Sequence, residues 1–104
     1  MTFARACTSA VLLPLMKRRF DEPAAGLVIE RVDIRRCRNG YAHLFAISRH
    51  NPPGESSFEN EQLFMHFADG QWRSISEGTG ISCSDTDLRP AEMLTACRAL
   101  GYRS

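Results

Sequence analysis

Residues 28–48 read VIERVDIRRCRNGYAHLFAIS, and their reading decides the fold. Asn39-Gly40 stands between two apolar-rich runs, the strongest short-range hairpin signal. A type I′ turn needs a positive φ at both central positions, which these two residues tolerate. With a two-residue loop, Arg38 faces Tyr41, and the ladder pairs Cys37 with Ala42, Arg36 with His43, Arg35 with Leu44 and Ile34 with Phe45. It continues with Asp33 opposite Ala46 and Val32 opposite Ile47. One face then carries Val32, Ile34, Phe45 and Ile47 and is expected to be the core face, because a slip of one residue exposes all four. The other carries Arg31, Asp33, Arg35 and Ser48 with Ala42, Leu44 and Ala46, and is expected to be half solvated. Nearer the start, Leu27 and Ile29 alternate out of phase with Val32 and Ile34. Either a bulge near Glu30-Arg31 reconciles the two sets, or the start of the strand is buried on both sides.

Working outward, Thr8 or Ser9 caps a helix running to about Phe20, with Pro14 as a kink or a restart. Val11, Leu15 and Phe20 are expected to face the sheet, with Leu12 and Met16 beside them. Lys17, Arg18 and Arg19 fall in the last turn, where cations suit the helix dipole. Glu61 to Ser76 forms a second hairpin turned at Asp69-Gly70, pairing Phe67 with Trp72 and Phe64 with Ile75. Its core face is Leu63, Met65, Phe67 and Trp72, with Trp72 as a core anchor. Residues 50–60 read as a flexible polar loop, either simply disordered or the first candidate for a contact surface. Pro90 opens a last helix to about Leu100, with Met93, Ala96, Cys97 and Leu100 as its buried stripe and Gly101 ending it. The predicted architecture is α+β in a single domain, residues 1–104. An N-terminal helix precedes a four-stranded antiparallel sheet of two hairpins, and a C-terminal helix follows.

The chain of 104 residues is 43% hydrophobic, which excludes disorder and allows one core. Residues 1–49 hold nine basic and four acidic side chains, whereas residues 50–104 hold four and eight. The two halves are expected to pair with each other. A net charge of +1 lacks the dominant basic patch of a nucleic-acid binder. The apolar run Ala10–Met16 is too short to span a membrane, and its charges follow it, where a secretion signal has them before. It therefore reads as part of the fold. Four cysteines without a Cys-x-x-Cys spacing point to two disulfides rather than to zinc. Of the three possible pairings, Cys7–Cys37 and Cys83–Cys97 join neighbours in this layout. Two bridges place the chain outside the cytoplasm; four buried thiols in a cytoplasmic protein are the alternative.

Four stretches carry a resemblance. They are Cys37-Arg38-Asn39-Gly40-Tyr41-Ala42, Asp69-Gly70-Gln71-Trp72-Arg73, and Gly78 to Cys83 followed by Ala96 to Tyr102. In these the chain resembles small secreted proteins of high-GC actinobacteria. The resemblance implies an extracytoplasmic compartment and disulfides, and no activity.

No catalytic set is assigned. Cys37 and His43 project to opposite faces, and Ser82 and Ser84 lack a nucleophile elbow. His43, His50 and His66 have no paired spacing, so neither a metal nor a cofactor is expected. Asp85 and Asp87 read as helix-capping residues rather than calcium ligands. Gly78-Thr79-Gly80 is a plain turn, too short for a phosphate loop. At the hairpin tip, however, apolar burial gives way to Arg36 beside His43 and Arg38 beside Tyr41. Arginine with tyrosine is a composition of binding hot spots and suits an acidic partner. The expectation is a small non-enzymatic extracytoplasmic domain that binds a protein or cell-envelope ligand through Arg36, Arg38, Tyr41 and His43. An inhibitor or immunity-type protein and a small hydrolase are the alternatives.

Overall fold

The computed structural model describes residues 1–50, 60–78, 80–85 and 87–102. A short helix α1 (Phe3–Ala6) leads into α2 (Ser9–Phe20) and a single 3-10 turn at Pro23–Ala25. The strands are β1 (Leu27–Arg38), β2 (Tyr41–His50), β3 (Glu61–Ala68) and β4 (Gln71–Gly78), and α3 (Glu92–Leu100) closes the order. The four strands form one antiparallel sheet in the order β1-β2-β3-β4. The α+β architecture of two hairpins between two helices is therefore as the sequence predicts, and Cys7–Cys37 and Cys83–Cys97 are its two disulfides. Residues 51–59, the body of the expected contact loop, lie outside the described residues.

The hairpin turns at Asn39-Gly40, both with positive φ, and Arg36 pairs with His43 as the two-residue loop requires. Beyond Arg36 the predicted register is wrong by one. A bulge at Arg35 sets Ile34 opposite Leu44 and Val32 opposite Ala46. The expected bulge at Glu30 is also present, between Ile29 and Arg31. Together they turn Ile29, Val32 and Ile34 onto the face of Ala42, Leu44 and Ala46, and those three are fully buried rather than half solvated. Phe45 and Ile47 lie on the opposite face and are half-buried. A similar bulge in β4 leaves Phe64 opposite Ser76, not Ile75, while Phe67 still pairs with Trp72.

Each face of the sheet carries a helix. On one, Leu12 and Met16 of α2 pack against Leu44, Leu63 and Met65. The stripe is centred on Leu12 and Met16, with Val11, Leu15 and Phe20 half-buried at its margins rather than at its middle. Ala42 and Ala46 flank Leu44, so small side chains let the helix approach. The helix runs through Pro14 because Pro14 and Ala10 both face solvent, where water satisfies the carbonyl that Pro14 cannot donate to. On the other face, Phe64 and Ile75 pack against Met93, Ala96, Cys97 and Leu100 of α3. That helix begins at Glu92, two residues later than Pro90. Each large side chain so buried stabilises by roughly 1.5–3 kcal/mol. Trp72 is half-buried at the rim, its Nε1–H donating to the Ala6 carbonyl at 3.0 Å and its ring 5.2 Å from that of Phe67.

The edge of β1 is closed locally. Asp21 Oδ1 accepts the Ile29 amide at 2.7 Å, and Lys17 Nζ donates to the Ile29 carbonyl at 3.1 Å. The Ile29 amide, and then the Lys17 ammonium, hold the Asp21 carboxyl below its ordinary range. These contacts occupy backbone groups that another strand would otherwise pair with. Lys17 thus serves the β1 edge as well as the dipole.

Candidate functional site

The β1–β2 tip is built from the end of the hairpin and the end of α3. Gly101 ends α3 in the left-handed region at φ 83°, and Asn39 Nδ2 donates to the Ala99 carbonyl at 2.8 Å. Arg36 Nη1 donates to the Leu100 carbonyl at 3.0 Å, and its guanidinium lies 4.3 Å from the centre of the Tyr102 ring. A cation there complements the partial negative charge of the helix end. A methyl group at Gly101 would stand 2.7 Å from Arg38 Nη1 and 3.5 Å from Arg36 Nη1. The two guanidinium groups therefore converge on one bare point of backbone. Arg38 has neither a hydrogen bond nor an ion pair among the described residues.

His43, beside Arg36, opens into a cleft of about 240 Å³. The cleft is lined by His43, Gln62 and Phe64 of the sheet, by Ile81 to Ser84, and by Tyr102. Gln62 Nε2 donates to the Ile81 carbonyl at 2.7 Å, so its Oε1 is the acceptor for His43 Nε2 at 2.7 Å. That choice puts the His43 proton on Nε2 and leaves Nδ1 to accept from the Tyr102 hydroxyl at 2.8 Å. Burial, reinforced by the charges of Arg35 and Arg36, pushes the His43 pKa down, against the pull of Gln62. Burial raises the Tyr102 pKa. His43 is thus neutral, and both ring nitrogens are engaged.

This has a measurable consequence. The folded state keeps His43 neutral, whereas the unfolded chain takes up a proton below about pH 6.5. Stability is therefore lost as the pH falls through that value, and the loss levels off below the folded pKa. An NMR titration of the His43 ring is expected to show a midpoint below about 6.5. His43→Gln is expected to remove part of the fall in melting temperature between about pH 7 and pH 5.

The structure brings Arg36, Arg38 and His43 to one end of the sheet as predicted. Tyr41 is also there, but its ring is stacked flat on His66 at 4.3 Å. Sequence reasoning missed Gln62 and Tyr102, whose roles depend on contacts across long sequence separations. It also missed that Ser82 and Ser84 line the same cleft as His43. Their hydroxyls bond each other at 2.7 Å, and the Ser84 amide donates to Ser82 Oγ. Neither serine is bonded to His43, whose nitrogens are taken by Gln62 and Tyr102. Asp85 accepts from the Ser82 amide and Asp87 from Arg89, so neither caps α3, whose cap position is Ala91. Thr79, in the glycine turn, lies outside the described residues. Of the expected charge pairing between halves, Arg19 to Glu77 at 2.8 Å is an instance. Arg18, Arg36 and Arg38 keep no carboxylate among the described residues.

Among the described residues no group of three or more acidic, histidine or cysteine side chains is placed to hold a metal ion. No helix among them is long and apolar enough to cross a membrane. Compared with protein families, with curated proteins and with solved structures, the chain has no significant match.

Proposed function

We propose that this chain is a small extracytoplasmic binding domain, not an enzyme, that recognises an acidic group on a protein or cell-envelope ligand. The observation that carries the reading is the convergence of Arg36 and Arg38 on Gly101, with Arg38 unpaired among the described residues. Guanidinium forks match carboxylate and phosphate geometry, and a guanidinium already held by the fold loses little freedom on binding. Arg36 is held by Leu100 and Tyr102, while Arg38 is left for the ligand. Two disulfides support a compartment outside the cytoplasm. A non-enzymatic role is supported by the absence of a free thiol and by the engagement of both His43 nitrogens.

The test is capture of the ligand from a cell-envelope extract of the source cells on immobilised protein, followed by titration of the purified ligand. Arg38→Ala is expected to weaken binding by roughly tenfold to a hundredfold, the worth of a hydrogen bond to a charged group. Gly101→Ala is expected to weaken it as well, because the methyl group displaces Arg38. Arg35→Ala, whose guanidinium is paired with Asp33, serves as the control and should bind normally. Affinity unchanged by Arg38→Ala removes the arginine pair from the site.

A further inference from the structure

On the opposite sheet face from the cleft, α2 lies along β1 and leaves part of β3 and β4 uncovered. Two adjoining hollows of about 250 and 400 Å³ follow the seam between α2 and β4, and both are lined by Leu15, Arg18 and Trp72. Met65 forms the floor of one, whereas Val11 and Phe67 wall the other. Trp72 is held at this seam by its bond to Ala6 and by the rings of Phe3 and Phe67. A half-buried tryptophan whose N–H is already satisfied is a preorganised apolar anchor. The charge at the seam is one-sided. Arg19 is tied to Glu77, but Arg18, common to both hollows, is exposed and has no carboxylate among the described residues.

We propose that this groove docks an amphipathic segment of a partner protein, with two apolar anchors for the two hollows and an acidic residue between them for Arg18. The apolar walls select the anchors. The unpaired cation selects the carboxylate and rejects a basic segment, since like charges held together oppose binding. This surface is independent of the arginine pair at the tip.

The experiment is selection of a random twelve-residue peptide library on the disulfide-bonded protein, followed by titration of the enriched peptide as a synthetic probe. Trp72 is the only tryptophan of the chain, so its emission reports occupancy directly. The expected result is a consensus of two large apolar residues flanking Asp or Glu, with a saturable shift of Trp72 emission. Affinity should fall at least about tenfold in Arg18→Glu and be unchanged in Arg38→Ala. Arg18 is exposed, so circular dichroism should show Arg18→Glu folded. The proposal is overturned by failure to enrich any peptide, by a consensus without an acidic residue, or by binding indifferent to Arg18→Glu. Loss of binding in Arg38→Ala alone would assign the peptide to the tip. Self-association that shifts Trp72 emission would assign the groove to a second copy of the chain. Either outcome also overturns the proposal.

Discussion

Reduction of both disulfides is expected to unfold the protein at about 37 °C, since losing a native bridge from a small domain often abolishes folding there. The sequence separations are 30 for Cys7–Cys37 and 14 for Cys83–Cys97. On the chain-entropy account these loops are worth about 4 and 3 kcal/mol. They do not overlap in sequence, so the two losses add to a first approximation. A domain of this size has about 5–15 kcal/mol in all. The bridges also act on different layers. Cys7–Cys37 ties the start of α2 to the tip of β1, and Cys83–Cys97 ties the loop after β4 to α3. Thermal melts with and without reductant test the pair together. The Cys83→Ala, Cys97→Ala double variant tests one alone and should melt roughly 10–25 °C lower. A change below about 5 °C would mean that α3 is held by packing and hardly by its bridge.

Both disulfides were legible because the elements they join were legible. Asn39-Gly40 and Asp69-Gly70 set two turns, and the stripe of Met93, Ala96, Cys97 and Leu100 set the last helix. The misreading came from bulges. One at Glu30 left a trace, since Ile29 and Val32 are out of phase without it. The bulge at Arg35 left none, because Arg35 and Arg36 are both polar and either could be the extra residue. The cost was every pairing from Arg35 to Val32. The burial of Ala42, Leu44 and Ala46 went unread for a second reason. Both faces of the sheet are covered at β2, so a face of small residues is as buried there as a face of large ones.

The candidate site was legible only in its local part. Arg36 and His43 are paired across a tight hairpin, and short-range register is enough to place them together. Tyr102 reaches His43 from 59 residues away and Gln62 from 19, and those bonds depend on how α3 lies across the sheet. The turn rule at Gly101 gave the end of the helix but not the arginines that converge on it. Arg18 reads in sequence as a dipole-compensating cation. Its place at a groove follows from where α2 stops covering the sheet, which no periodicity records.

Phe64→Ala is expected to be the most damaging single substitution at the site, at about 3–5 kcal/mol. Phe64 is 1% exposed and packs on α3, where truncation leaves a cavity that Met93, Ala96, Cys97 and Leu100 cannot close without moving the helix. Its other side carries the site. The His43 ring lies flat on Phe64 at 4.3 Å with an interplanar angle of 6°. Removing Phe64 admits water beneath His43 and relieves the burial that lowers its pKa. The variant should therefore titrate His43 closer to the ordinary value of about 6.5 while also melting lower. NMR titration gives the first effect and thermal unfolding the second, and together they separate two causes. A lower melting temperature with an unchanged His43 midpoint would mean that Phe64 anchors α3 alone. A shift in both would mean that the packing of the helix and the protonation of the cleft share one support. That coupling follows from geometry, because a single ring fills the space between the last helix and the imidazole.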